Sequence, residues 1–136
     1  MTSIKFKVWI GFAAVLVLVI SAIVWWKYPN QLLKINVNEV VRIELFNGNN
    51  GILVEVADYE QIEKIVDNLN GISLVKDKFV KEFTGFAFSI EIFMNSGEIH
   101  TLTILSTNKV LDGSFICKTK NTAVDTEFLY ELTARD

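Results

Sequence analysis

Hydrophobic positions change their spacing several times along this chain, and each change predicts an element. Val8 to Trp26 is an uninterrupted stretch of 19 uncharged residues, VWIGFAAVLVLVISAIVWW. As a helix it spans about 28 Å, close to the hydrocarbon thickness of a bilayer. Pro29 stops it. The spacing then falls to two: Val41, Ile43, Leu45 and Ile52, Val54, Val56 alternate with polar residues as in a half-buried hairpin. A four-residue loop at 47–50 pairs Phe46 with Gly51, Leu45 with Ile52, Ile43 with Val54 and Val41 with Val56. Arg42, Glu44 and Glu55 go to the other face. Helical spacing follows at Tyr59, Ile62, Ile65, Val66 and Leu69, with Asp58 as N-cap, Gln61 in capping-box position and Asn70-Gly71 as the stop.

Alternation returns in ISLVKDKFVKEF, where Leu74, Lys76 and Lys78 interleave with Val75, Asp77 and Phe79. Two readings compete there. Lysines guard a sheet edge, or Lys76, Lys78 and Lys81 form an anion-binding stripe; Asp77 and Glu82 interrupt the stripe and favour the guard. Phe86, Phe88, Ile90, Ile92 and Met94 then alternate without a break. The loop Asn95-Ser96-Gly97, with Gly97 left-handed, pairs Met94 with Glu98, Ile92 with His100, Ile90 with Leu102 and Phe88 with Ile104. NKVLDGSFICK predicts a third hairpin turning at Asp112-Gly113. TAVDTEFLYELTARD predicts a closing helix with Val124, Phe128 and Leu132 four apart. The fold class is α+β: an N-terminal transmembrane helix, then a mostly antiparallel twisted sheet with helices packed on one face. The expected division is a flank at 1–7, an anchor helix at 8–26, a linker at 27–37 and a small α+β domain at 38–136.

The anchor competes with a cleaved signal peptide. Ser21-Ala22 is small enough for processing, but Ile20 occupies the −3 position and the apolar run continues through Ile23 and Val24. A signal core usually ends after about 7–15 residues. Trp25, Trp26, Lys27 and Tyr28 form the aromatic and basic belt that pins a helix end at the headgroups. These features favour a permanent anchor that contacts the lipid bilayer through residues 8–26. Lys5 and Lys7 precede the run, while Lys27, Lys34 and Arg42 follow it. The N-terminal concentration favours the N-terminus inside and the domain outside the cell membrane.

Charge sharpens the picture. Ten basic and 16 acidic residues follow residue 27, leaving that part at net −6. An acidic domain argues against nucleic acid. The single cysteine, Cys117, precludes an intramolecular disulfide and a cysteine-based zinc site. Its place beside Phe115 and Ile116 reads as a packing thiol. His100 is the only histidine, and the hairpin register puts it on the apolar face near the rim, with Glu98 close and Glu91 pointing away. That reads as a structural histidine rather than a general base, and His100 remains only a weak interaction candidate beside the three lysines. FNGNNG lacks the Lys-Ser/Thr of a phosphate loop and the carboxylates of a calcium loop. No cofactor, metal or catalytic residue is expected.

DYEQIEKIVDNL after a hairpin, followed by GFAFSIEIFMNSG, resembles small membrane-anchored or lipoprotein-like extracytoplasmic domains of Gram-positive bacteria. These share a hairpin, one helix and a G-x-x-[FY]-x-I strand with an Asn/Gly turn. The resemblance covers about 38–117 and implies location and architecture. It brings no catalytic residue, and the chain has an anchor helix where many such proteins carry a lipid-modified cysteine. The expected function is a non-enzymatic extracytoplasmic interaction or sensing domain with a protein or cell-envelope partner. Such a domain calls for an exposed apolar patch at Phe93, Phe83 and Phe79, or an open pairing edge. The alternative is a structural accessory subunit of a membrane complex acting through its anchor helix.

Overall fold

The computed structural model describes residues 2–27, 30–81 and 85–134. Helix α1, Thr2–Lys27, includes residues read from sequence as a flank. Within it Ile4–Trp26 is long and apolar enough to cross a membrane, and its side chains are not buried against the rest of the chain. Strand β1 (Asn30–Gln31) follows, then a 3-10 turn at Val37–Glu39, β2 (Val40–Asn47), β3 (Leu53–Val56) and helix α2 (Tyr59–Asn70). The chain continues through β4 (Ser73–Phe79), β5 (Phe88–Met94), β6 (Ile99–Ser106), β7 (Lys109–Asp112), β8 (Phe115–Thr119) and helix α3 (Thr126–Leu132).

Among the described residues, eight strands form one antiparallel sheet in the order β1-β4-β8-β7-β6-β5-β2-β3. The fold is α+β, as the hydrophobic spacing predicts. Helix α2 links β3 at one edge to β4 near the other, so the chain crosses the whole sheet between them. Asp58 caps α2 by accepting from the Glu60 amide, and Ile62, Ile65, Val66 and Leu69 bury its inner side. They pack with Ile43, Leu45, Phe88, Ile90, Ile92, Ile104, Val110 and Cys117 from one face of the sheet.

The β5–β6 register is the one expected: Ile92 faces His100, Ile90 faces Leu102 and Phe88 faces Ile104. Gly97 adopts φ +92°, which closes the three-residue turn. The β7–β8 turn likewise brings Asp112 opposite Phe115.

The β2–β3 register differs from the expected one. Ile43 faces Val56 and Leu45 faces Val54, a slip of two residues. The parity of both strands survives a slip of two, so the buried faces are those predicted. The cause is Asn47, which extends β2 by one residue and moves the loop onward: its amide donates to Ile52 O at 2.9 Å. Val41 leaves the apolar face altogether because the pairing with β5 is irregular between Val40 and Arg42, and it is exposed. Tyr59 also leaves the predicted apolar stripe; it is exposed, and its hydroxyl donates to Asn38 Oδ1 at 3.1 Å.

A further departure lies just after α1. Residues 30–37, expected as linker, are docked on the domain. Leu33 is buried, Leu32 N donates to Ile72 O at 3.0 Å, and the Asn70 amide exchanges two hydrogen bonds with the Ile35 backbone at 2.8 and 3.1 Å. The predicted stripe holds at the C-terminal end: Val124 is buried just ahead of α3, and Phe128 and Leu132 pack partly covered against the core, while Leu129 and, just beyond the helix, Thr133 are buried as well.

Candidate functional site

Three places gather the residues singled out by sequence and the larger surface concavities. The first is the junction between α1 and the sheet. Phe115 opens β8 at the end of the sheet where α1 arrives, and it faces Phe79 across the β4–β8 pairing. Its ring meets Phe79 at 5.6 Å, Trp26 at 5.5 Å and Trp25 at 6.3 Å between centroids, each edge to face. The Lys76 ammonium lies 4.0 Å from the Trp25 ring centre and 5.6 Å from that of Phe115, the geometry of a cation held by aromatic faces.

This junction revises the reading of the lysines. Lys76 faces Cys117 and so lies on the core side, whereas Lys78 faces Ile116 on the outer side, with an irregularity in the ladder between them. Lys81 follows the strand and is exposed. The three do not converge on one anion. Lys76 is engaged by Trp25, and Lys78 remains exposed on a strand whose outer edge is paired by β1 only at Ser73 and Leu74. Of the predicted interface belt, Trp25 and Trp26 are where the aromatic contacts form; Tyr28 and the Lys27 side chain lie outside the described residues, as does Phe83.

The second place is the outer face of the sheet. Glu44 stands directly opposite Glu55 on β3 and Glu91 on β5, giving a row of three carboxylates across adjacent strands. Like charges directly opposite destabilise a sheet. Arg42 offsets part of this, with Nε 3.9 Å from Glu44 and 4.0 Å from Glu55, while its guanidinium rests 3.9 Å above the Phe93 ring. Below the row is a groove of about 310 Å³ bordered by Phe46, Phe86, Leu53 and Ser89 as well as Glu44 and Glu91. Phe93 belongs to the outer face with its ring shielded by Arg42, while Phe79 lies on β4 with three strands between it and β5, so the two do not form the apolar patch expected from sequence. Beyond Leu53 the edge is open, since β3 ends the sheet.

The third place lies at the end of the sheet away from α1. Asn47 is 2 % exposed and its side chain is fully used. Oδ1 accepts from the amides of Asn49 and Asn50 at 2.8 and 3.3 Å, and Nδ2 donates to Thr133 Oγ1 at 2.9 Å. Asn49 Nδ2 donates to the Tyr130 hydroxyl at 2.8 Å and Asn50 Nδ2 to Thr133 O at 3.0 Å. The Asn-Gly-Asn-Asn loop is therefore a clamp on α3, a role its local sequence does not announce because the partners are more than 80 residues away. Gly48 passes so close to Phe86 that a Cβ there would overlap the Phe86 carbonyl oxygen. Beside the clamp is a cavity of about 510 Å³ lined by Asn49, Phe86, Ser106, Thr107, Thr126 and Tyr130 among others.

The acid–base groups lie elsewhere. His100 is half-buried, with Nε2 3.5 Å from Glu98 Oε1 at the rim, the neighbour expected from sequence. Cys117 is 2 % exposed, and burial pushes its thiol up, with Asp112 adding to the shift. Among the described residues no three His, Cys, Asp or Glu side chains are grouped so as to hold a metal ion. No family model, curated protein or solved structure matches this chain.

Proposed function

We propose that this is a single-pass membrane protein whose α+β domain, held outside the cell membrane, binds a protein or cell-envelope partner and catalyses no reaction. The observation that carries the reading is the contrast along α1. Residues from Ile4 to Val24 expose large apolar side chains all round, while Trp25 and Trp26, still 58 % and 37 % exposed, add edge-to-face contacts with the Phe115 ring. A helix exposed all round needs an apolar solvent, and a bilayer supplies it. Its docked last turn fixes the domain next to that bilayer. The clustered Lys5 and Lys7 ahead of the span favour an inside N-terminus. The resemblance to anchored extracytoplasmic domains of Gram-positive bacteria points the same way.

The partner surface is the outer sheet face. Its carboxylate row beside Phe46, Phe86 and Leu53 suits a basic, partly apolar segment. The half-buried histidine, the buried thiol and the scattered lysines support a binding rather than a catalytic role. A photo-crosslinking residue at Ser89, in the groove, is expected to capture a discrete product in native membranes. The same residue at Glu63, on the solvated side of α2, is expected to capture none. Equal labelling from both positions counts against a partner on the outer face.

The second reading, an accessory subunit acting through its anchor, draws on Gly11, which has no atom near its Cβ position and leaves that part of α1 open for a neighbouring helix. Exchanging residues 4–24 for an unrelated apolar helix separates the two. Function retained after the exchange rules the accessory reading out.

A further inference from the structure

We infer that the tip of strand β4 is a second membrane contact, in which Phe79 enters the headgroup zone beside the anchor; this rests on the reading of α1 as a span. Phe79 is 59 % exposed, although the same strand begins with buried Leu74. Its ring is not isolated. It stacks edge-on against Phe115 at 5.6 Å, and Phe115 stacks against Trp26 at 5.5 Å. Whatever depth the two tryptophans take at the end of the span, Phe79 lies two ring contacts away from it. An aromatic side chain at that level is stabilised by the interface, where its body is apolar-solvated.

The basic groups around it fit the same zone. Lys76 holds its ammonium over the Trp25 ring, and Lys78 is exposed one residue before Phe79. Long side chains of this kind reach phosphates from a half-immersed backbone. Charge is not the driving force, however. Asp112 faces Phe115 at the same end of the sheet, Asp77 pairs with Lys118 at 3.5 Å, and the part of the chain after residue 27 is net acidic. The contact is therefore apolar and calls for zwitterionic lipid as readily as anionic lipid. Two attachments, the span and the β4 tip, fix the orientation of the domain. They leave the outer-face groove away from both attachments, because its strands β2, β3 and β5 lie toward the opposite edge of the sheet from β4.

The test uses the full chain in phosphatidylcholine vesicles, in a Cys117→Ala background. Phe79→Cys, Val15→Cys and Leu53→Cys each carry an environment-sensitive fluorophore, and lipids with a spin label at the headgroup or deep in the acyl chain act as quenchers. Leu53 is the control: it is 62 % exposed and lies on β3, six strand spacings from β4, or about 29 Å. The expected result is deep quenching at Val15, headgroup quenching with a blue-shifted emission at Phe79, and neither at Leu53. Deep quenching at Val15 with Phe79 unquenched, or quenched no more than Leu53, overturns the inference and leaves the anchor standing. A lack of deep quenching at Val15 overturns the anchor itself.

Discussion

The Lys76 ammonium lies 4.0 Å from the centre of the Trp25 ring, joining the last turn of the apolar helix to the sheet. Isolated contacts of this type contribute about 0.5–2 kcal/mol, more when desolvated. A double-mutant cycle of Lys76→Met and Trp25→Leu, read from urea midpoints of the detergent-solubilised chain, is expected to show a coupling of about 1 kcal/mol. Additive single effects contradict a specific junction.

The Asn47 clamp predicts a larger effect at the other end of the molecule. Asn47→Ala removes the partner of the Asn49 and Asn50 amides and of Thr133 Oγ1 together. Leaving buried polar groups unpaired costs about 1–3 kcal/mol. Loss of about 2 kcal/mol is expected, with α3 amides exchanging with deuterium faster than those of α2. Thr133→Val is expected to be milder, since it keeps the Asn47 contacts within the loop.

The carboxylate row predicts a gain. Glu91→Gln removes one of the three aligned charges without touching the Arg42 contacts. Stabilisation of about 0.2–1 kcal/mol is expected. The gain should shrink as salt screens the remaining repulsion, which distinguishes it from a packing effect.

The buried thiol carries a pH dependence. Burial raises the pKa of Cys117, so the folded state keeps the neutral thiol where the unfolded chain already ionises. The stability from burying it is complete below the ordinary thiol pKa and is lost as pH rises through the raised one. A Cys117→Ala variant is therefore expected to lose less stability than the parent between about pH 8 and more alkaline conditions. Iodoacetamide is expected to label the native thiol only after denaturation.

The β5–β6 register was legible because Gly97 and the Asn95-Ser96 pair set the loop length, and unbroken alternation left one choice of face. Helix α2 was legible because its cap, stripe and stop all lie within one local stretch. The β2–β3 slip was not, since Asn47 reads as a turn residue until Thr133 buries it. Nor was the engagement of Lys76, which depends on a tryptophan 51 positions earlier in the chain. The docking of 30–37 was hidden for the same reason: its partner Asn70 looked only like a helix stop. In each case the missing information was a side chain brought near by the fold.

On this reading, α1 stays on the protein and holds the domain at a membrane. The decisive measurement is alkaline extraction of membranes from cells producing the full chain, followed by intact-mass measurement of the recovered protein. The chain is expected in the membrane pellet with the mass of a polypeptide that retains residues 4–26. A soluble domain whose mature N-terminus is Ile23 would contradict it.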